Sequence, residues 1–149
     1  MNGSTNKFLL YFDISATATP DYEQLRPMNI DYDQGETLDS WNDLCSSLMN
    51  NVKTGIDPTW STSFKFKSTD PVAQFILGKE FAVGDEATCK VKLVNLLKGA
   101  TGKQVDFTAT LSSITYSAVT EEVLQIDFDI KVYDNSTFVE TNYVASGVS

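Results

Sequence analysis

Between Val123 and Tyr133 apolar and polar residues alternate without a break. Leu124, Ile126, Phe128, Ile130 and Val132 fall on one side, and Gln125, Asp127, Asp129 and Lys131 on the other. A period of two is that of a β-strand with one face buried. An apolar face this long has to be covered by a second layer. The chain repeats the pattern elsewhere. Trp60, Thr62, Phe64 and Phe66 alternate with Ser61, Ser63, Lys65 and Lys67, and Cys89, Val91 and Leu93 alternate with Thr88, Lys90 and Lys92. Val105, Phe107, Ala109 and Leu111 form a further inward row. The apolar positions then move to Ile114 and Tyr116, so a bulge is expected near Ser112-Ser113.

Other segments complete the outline. Phe8–Ile14 reads as a buried strand, Gln24–Tyr32 as a second strand interrupted by Pro27, and Thr137–Val144 as a last strand after a turn at Asp134-Asn135. The run from Lys98 to Lys103 is a hairpin loop. Thr69-Asp70-Pro71 opens a short helix carrying Val72, Phe75 and Ile76, with Asp70 as its cap and Pro71 in the first turn. The expectation is a single domain over 1–149, mainly β, built of about seven strands. They would form a two-sheet β-sandwich or open barrel with one short flanking α-helix. Residues 1–6 and 146–149 are expected to be flexible ends.

Gly35–Thr54 admits two readings. Leu38, Trp41, Leu44, Cys45, Leu48, Met49 and Val52 recur at spacings of three and four, the period of a helix beginning at Thr37. The rival is a long arm that packs on a neighbouring molecule and has no regular structure alone.

Charge narrows the function. Twenty acidic residues against eleven basic ones leave a net charge of −9, which disfavours binding to phosphate backbones and anionic membranes. There is no histidine, so the commonest general base and metal ligand is missing. Cys45 and Cys89 form no metal-binding pair and read as free thiols of a reducing compartment. Phe8–Phe12 is too short an apolar run for a signal peptide or membrane span.

The motifs that hint at chemistry are weak. Gly99–Lys103 has the wrong glycine spacing for a phosphate loop and leads into a strand. Asp31-Tyr32-Asp33-Gln34-Gly35 has its glycine one place early for a calcium loop and reads as an acidic turn. Asp127 and Asp129 share a strand face, where a solvated surface is the simplest reading and a glycosidase pair a distant one. No catalytic residue, metal or cofactor is expected. A stand-alone β-sandwich binding module, for sugars for example, is an alternative function.

Four features in order give the chain a resemblance to a family. They are the long segment Gly35–Thr54, the run Asn51–Ser61 leading into an alternating strand, the short helix after Thr69-Asp70-Pro71, and the run Ala118–Ile126 leading into the final strands. In order and spacing the chain resembles the major tail tube protein of long-tailed, non-contractile bacteriophages. That resemblance implies hexameric rings stacked into a hollow tube in the virion, made in the host cytoplasm. Phage DNA passes through the bore without specific binding. Partners would be further copies of the chain and the tape measure, terminator and baseplate proteins. Leu38, Trp41, Leu44, Leu48 and Met49 would form the inter-subunit arm, and Asp127 and Asp129 are candidate lumen carboxylates. A contractile-system tube, a tail terminator and a head decoration protein are related alternatives.

Overall fold

The computed structural model describes residues 8–15, 19–25, 27, 29–42, 48–67, 69–120 and 123–144. The expected flexible ends at 1–6 and 146–149 lie outside these residues. Among these residues nine strands follow in chain order: β1 Phe8–Asp13, β2 Tyr22–Leu25, β3 Asn29–Asp33, β4 Thr37–Asn42, β5 Met49–Gly55, β6 Thr59–Lys67, β7 Thr88–Asn95, β8 Lys103–Ala118 and β9 Val123–Asn142. An α-helix, α1 Pro71–Leu77, and a short 3-10 helix, Gly84–Ala87, lie between β6 and β7. Seven strands form one antiparallel sheet in the order β2-β1-β7-β8-β9-β6-β3, and β4 and β5 pair only with each other.

The long β8–β9 hairpin is the spine of the sheet. β7 pairs with β8 only from Lys103 to Thr110, and β1 and β2 continue the sheet beyond it. β6 pairs with β9 only from Val123 to Lys131, and β3 lies outside β6. Three register shifts along β8–β9 let the sheet fold over on itself. One layer is β2-β1-β7 with the first half of β8 and the second half of β9. The other is the second half of β8, the first half of β9, then β6 and β3. Phe12 of the first layer meets Phe128 of the second with ring centroids 5.9 Å apart, and Trp60 stacks on Phe107 at 5.4 Å. The β-sandwich expectation is thus met by one bent, open sheet.

The alternation seen in the sequence is the alternation of burial. Trp60, Thr62, Phe64 and Phe66 on β6 are buried, as are Ile126, Phe128 and Ile130 on β9, and Cys89, Val91 and Leu93 on β7. Burial pushes the free Cys89 thiol up to about 12, so it stays protonated; Cys45 lies outside the described residues. The expected bulge is present. Register shifts between Ser112 and Thr115, and Ser113 has φ +53°. The Asp70 carboxylate accepts the N–H groups of Val72 (2.9 Å) and Ala73 (3.3 Å), and α1 buries Val72, Ala73 and Ile76 in the common core.

Three expectations need correction. Gln24–Tyr32 is not one strand. The chain breaks around Pro27, and β2 and β3 lie at opposite edges of the sheet. Asp134-Asn135 does not reverse the chain. Asp134 caps a local turn, accepting from Ser136 N–H (3.0 Å) and Oγ (2.7 Å), yet the main chain resumes its pairing with β8 and β9 runs through to Asn142. The turn survives as a bulge because β8 supplies partners on both sides of it. The third concerns the arm.

Over the described residues the arm is a β-hairpin, neither the helix nor an arm without regular structure of its own. Thr37 opens β4, and Gly55 closes β5 opposite it. Leu44 and Cys45 lie outside the described residues. The root explains the choice. Asp57 N–H donates to the carbonyls of Gln34 (3.0 Å) and Gly35 (3.1 Å), so the segment leaves and re-enters the body at one point. Two antiparallel limbs meet that closure directly, whereas one helix of fifteen residues would separate its ends by about 20 Å. Gly35 sits at φ +59°, where a Cβ would lie 2.4 Å from the Asp57 carbonyl oxygen. Gly35→Ala is expected to lower stability by at least about 1 kcal/mol through the positive φ alone, read as a lower urea midpoint.

Candidate assembly surfaces

The arm carries several exposed apolar side chains. Leu38, Trp41 and Met49 are about half exposed, and Leu48 at the tip is 77% exposed. Residues directly opposite in the hairpin share a face. Leu38 lies across from Lys53, Met49 from Asn42, Trp41 from Asn50 and Val52 from Asp39. Trp41 and Val52 therefore share one face, while Leu38 and Met49 share the other. A two-stranded hairpin is marginal in water by itself, and this one is apolar on both sides. Within it Ser40 Oγ donates to Asn51 Oδ1 (2.5 Å) and Thr54 Oγ1 to the Thr37 carbonyl (3.2 Å).

A second surface is the outer face of the layer holding β6 and β9. The pairing aligns Asp31, Ser61, Asp129 and Ser112 in one row across four strands, and Asn29, Ser63, Asp127 and Thr115 in the next. Ser61 Oγ donates to Asp129 Oδ1 at 2.8 Å, and Ser63 Oγ donates to Asp127. The face thus carries Asp127 and Asp129 together, as their spacing requires. It also carries Asp31 and Asp33, which the sequence reading assigned to a turn. The alternation Asn29, Asp31, Asp33 was the available signal. Asp33 does cap a turn as well, accepting Gly35 N–H at 2.9 Å. The cations of this face stand at its ends. Lys65 and Lys67 are at one end, and at the other Lys131 lies 3.7 Å from Asp57 and donates to Thr59 Oγ1. Lys90 and Lys92 belong to the other layer, where Lys92 sits over the Tyr22 ring. Among the described residues no group of three or more acidic or cysteine side chains is placed to hold a metal ion.

Third, strand edges are left open. Among the described residues, β8 beyond Thr110 has no strand on the side away from β9, and β9 beyond Lys131 has none on the side away from β8. β3 is itself an edge. The four-stranded layer therefore ends in two edges that pair with no further strand among the described residues, Leu111–Ala118, flanked by the segment after α1, and Asn29–Asp33.

The layers gape where the arm is rooted. A groove of about 500 Å3 is lined by Tyr32, Trp60, Pro58, Leu93, Val105 and Phe138. Its rings join the core through Phe107: Tyr32 lies on Trp60 (5.1 Å), and the buried Phe107 beneath links Trp60 to Phe138 (5.5 Å). Lys98 and Glu140 pair across its rim at 2.6 Å, which holds the Glu140 carboxyl below its usual range. Elsewhere, Phe81 and Val83 are exposed on the segment after α1. That segment is fastened by hydrogen bonds from Tyr116 to Glu80 and from Tyr133 to Asp85, and both phenols are raised by them.

The architecture is that of the phage tail tube proteins. The SPP1 tail tube structure superposes with a TM-score of 0.67 at 13% identity, over 95% of this chain and 80% of that one. A chain of the PVC sheath–tube complex, from an extracellular contractile injection system, gives 0.54 at 9% identity over 93% and 90% of the two chains. The tube-terminating cap of the anti-feeding prophage gives 0.51 at 11% identity over 93% and 90%. No protein-family model matches the chain, and no curated protein matches it in sequence.

Proposed function

We propose that the chain is the structural subunit of a phage tail tube, six copies forming a ring and the rings stacking into a hollow tube that conducts DNA. The observation that carries this reading is the four-stranded layer, whose edge strands pair with no further strand among the described residues. Copies set side by side join Leu111–Ala118 of one to Asn29–Asp33 of the next and satisfy main-chain groups that otherwise invite uncontrolled pairing. A ring closed this way turns one face of the layer inward. With Asp31, Asp33, Asp127 and Asp129 on that face, the bore repels phosphates along its middle. Six chains of charge −9 bring −54 formal charges to each ring. The arm residues Leu38, Trp41, Leu44, Leu48 and Met49 reach a neighbouring subunit. The role is structural and non-enzymatic, it needs no cofactor, and it places the chain in the virion beside tape measure, terminator and baseplate proteins.

A second reading has its own support, the likeness to an injection-system tube-terminating cap. In that role the protein forms a ring that does not stack. Negative-stain electron microscopy over a concentration series separates the two. Tubes with a regular axial repeat and a central channel are expected. Isolated rings favour the terminator role, and single particles at every concentration overturn the assembly reading.

A further inference from the structure

We propose that the groove at the root of the arm receives the arm tip of another copy, so that each subunit inserts one hairpin and accepts one. This rests on the reading of the chain as a tube subunit. The first argument is that the tip needs two walls. Trp41 and Met49 sit on opposite faces of the hairpin, with Leu48 beyond them. A flat patch covers one face of a hairpin and leaves the other in water. The groove lies between the two layers of the sandwich, with Tyr32 and Trp60 on one wall and Leu93, Val105 and Phe138 on the other.

The second argument is reach. β4 has six residues, so the tip stands about 20 Å from the root. The groove borders the root itself, through Gln34, Ile56 and Pro58. A subunit therefore cannot fill its own groove with its own tip, and the occupant is a second copy. The third is charge. Two chains of −9 repel, and they meet most readily where that charge is absent. Residues 37–55 hold Asp39 and Asp43 against Lys53, a balance of −1. The groove holds Lys98 and Lys103 against Glu140, a balance of +1. A hairpin that enters the next copy while another enters behind it makes a head-to-tail contact, the kind that propagates.

Cross-linking between two variants tests this, both in a Cys45→Ser background; Cys89 is buried and does not compete. One carries Leu48→Cys at the arm tip, the other Phe138→Cys in the groove, and both positions are exposed enough to accept the change. Mixed and oxidised under assembly conditions, they are expected to give a covalent dimer that neither variant gives alone. Lys67→Cys, at the far end of β6, is expected to give none with the tip variant. Assemblies that form without the tip–groove link, or that link Lys67 as readily, overturn the receptor while leaving the tube reading intact. Failure to assemble at all, with each variant folded by circular dichroism, overturns both.

Discussion

Phe128→Ala is expected to destabilise the monomer by about 3–5 kcal/mol, the range for removing a buried phenylalanine ring. Phe128 is 2% exposed and sits where the two layers meet. Its ring faces Phe12 of β1 at 5.9 Å and stands edge-on to Phe64 of β6 at 6.0 Å. Truncation removes both contacts and leaves a cavity between strands that cannot easily approach, because main-chain bonds fix their register on either side. With a urea m-value of about 2 kcal/mol per M, the midpoint falls by about 2 M. Phe138→Ala is the control. Phe138 is 37% exposed at the mouth of the sandwich, so its loss is expected to cost a small fraction of that. Equal losses at the two positions would mean that the core does not run between the layers as described.

The second large effect is on assembly and leaves stability alone. Trp41→Ala with Leu48→Ala is expected to keep the monomer's urea midpoint within about 0.5 kcal/mol of the parent, since both side chains are exposed and touch no core residue cluster. In the proposed assembly the same side chains become covered. Their truncation removes at least about 2 kcal/mol per contact, which raises the critical concentration at least about thirty-fold. Sedimentation or light scattering against concentration reads the shift. A double variant that unfolds would place the arm in the monomer's own core, and one that assembles normally would remove the arm from the interface.

What the sequence showed clearly was what the chain buries within itself. On β6, β7 and β9 each inward residue meets the core of the same molecule, so burial imposes a period of two that is visible without coordinates. The slip at Ser112-Ser113 and the Asp70 cap were legible for the same reason, since each is set by neighbours in the chain. The arm was not. Its apolar residues are exposed, take no part in this molecule's core cluster and sit on both faces of a hairpin, so their spacing imitated a helix. Asp134–Thr137 misled in another way. The local turn it signals does form, and only the distant strand β8 decides that the chain continues straight. Asp31 and Asp33 escaped notice because β3 is an edge strand, and its partner β6 begins twenty-six residues further on than Asp33.

The order of the strands in the sheet bears on how the protein is made. β3 pairs with β6, and β6 pairs with β9, but β9 begins fifty-six residues after β6 ends. As the chain leaves the ribosome, β3 and β6 are synthesised long before the strand that completes their layer, and β8 reaches that layer only through β9. The two edges that would join copies to one another are therefore not fixed on one rigid surface until residues 123–131 have emerged. For the proposed tube subunit, topology alone would delay competence to associate until nearly all of this sequence has been translated, and so keep a nascent chain apart from its neighbours on the same message.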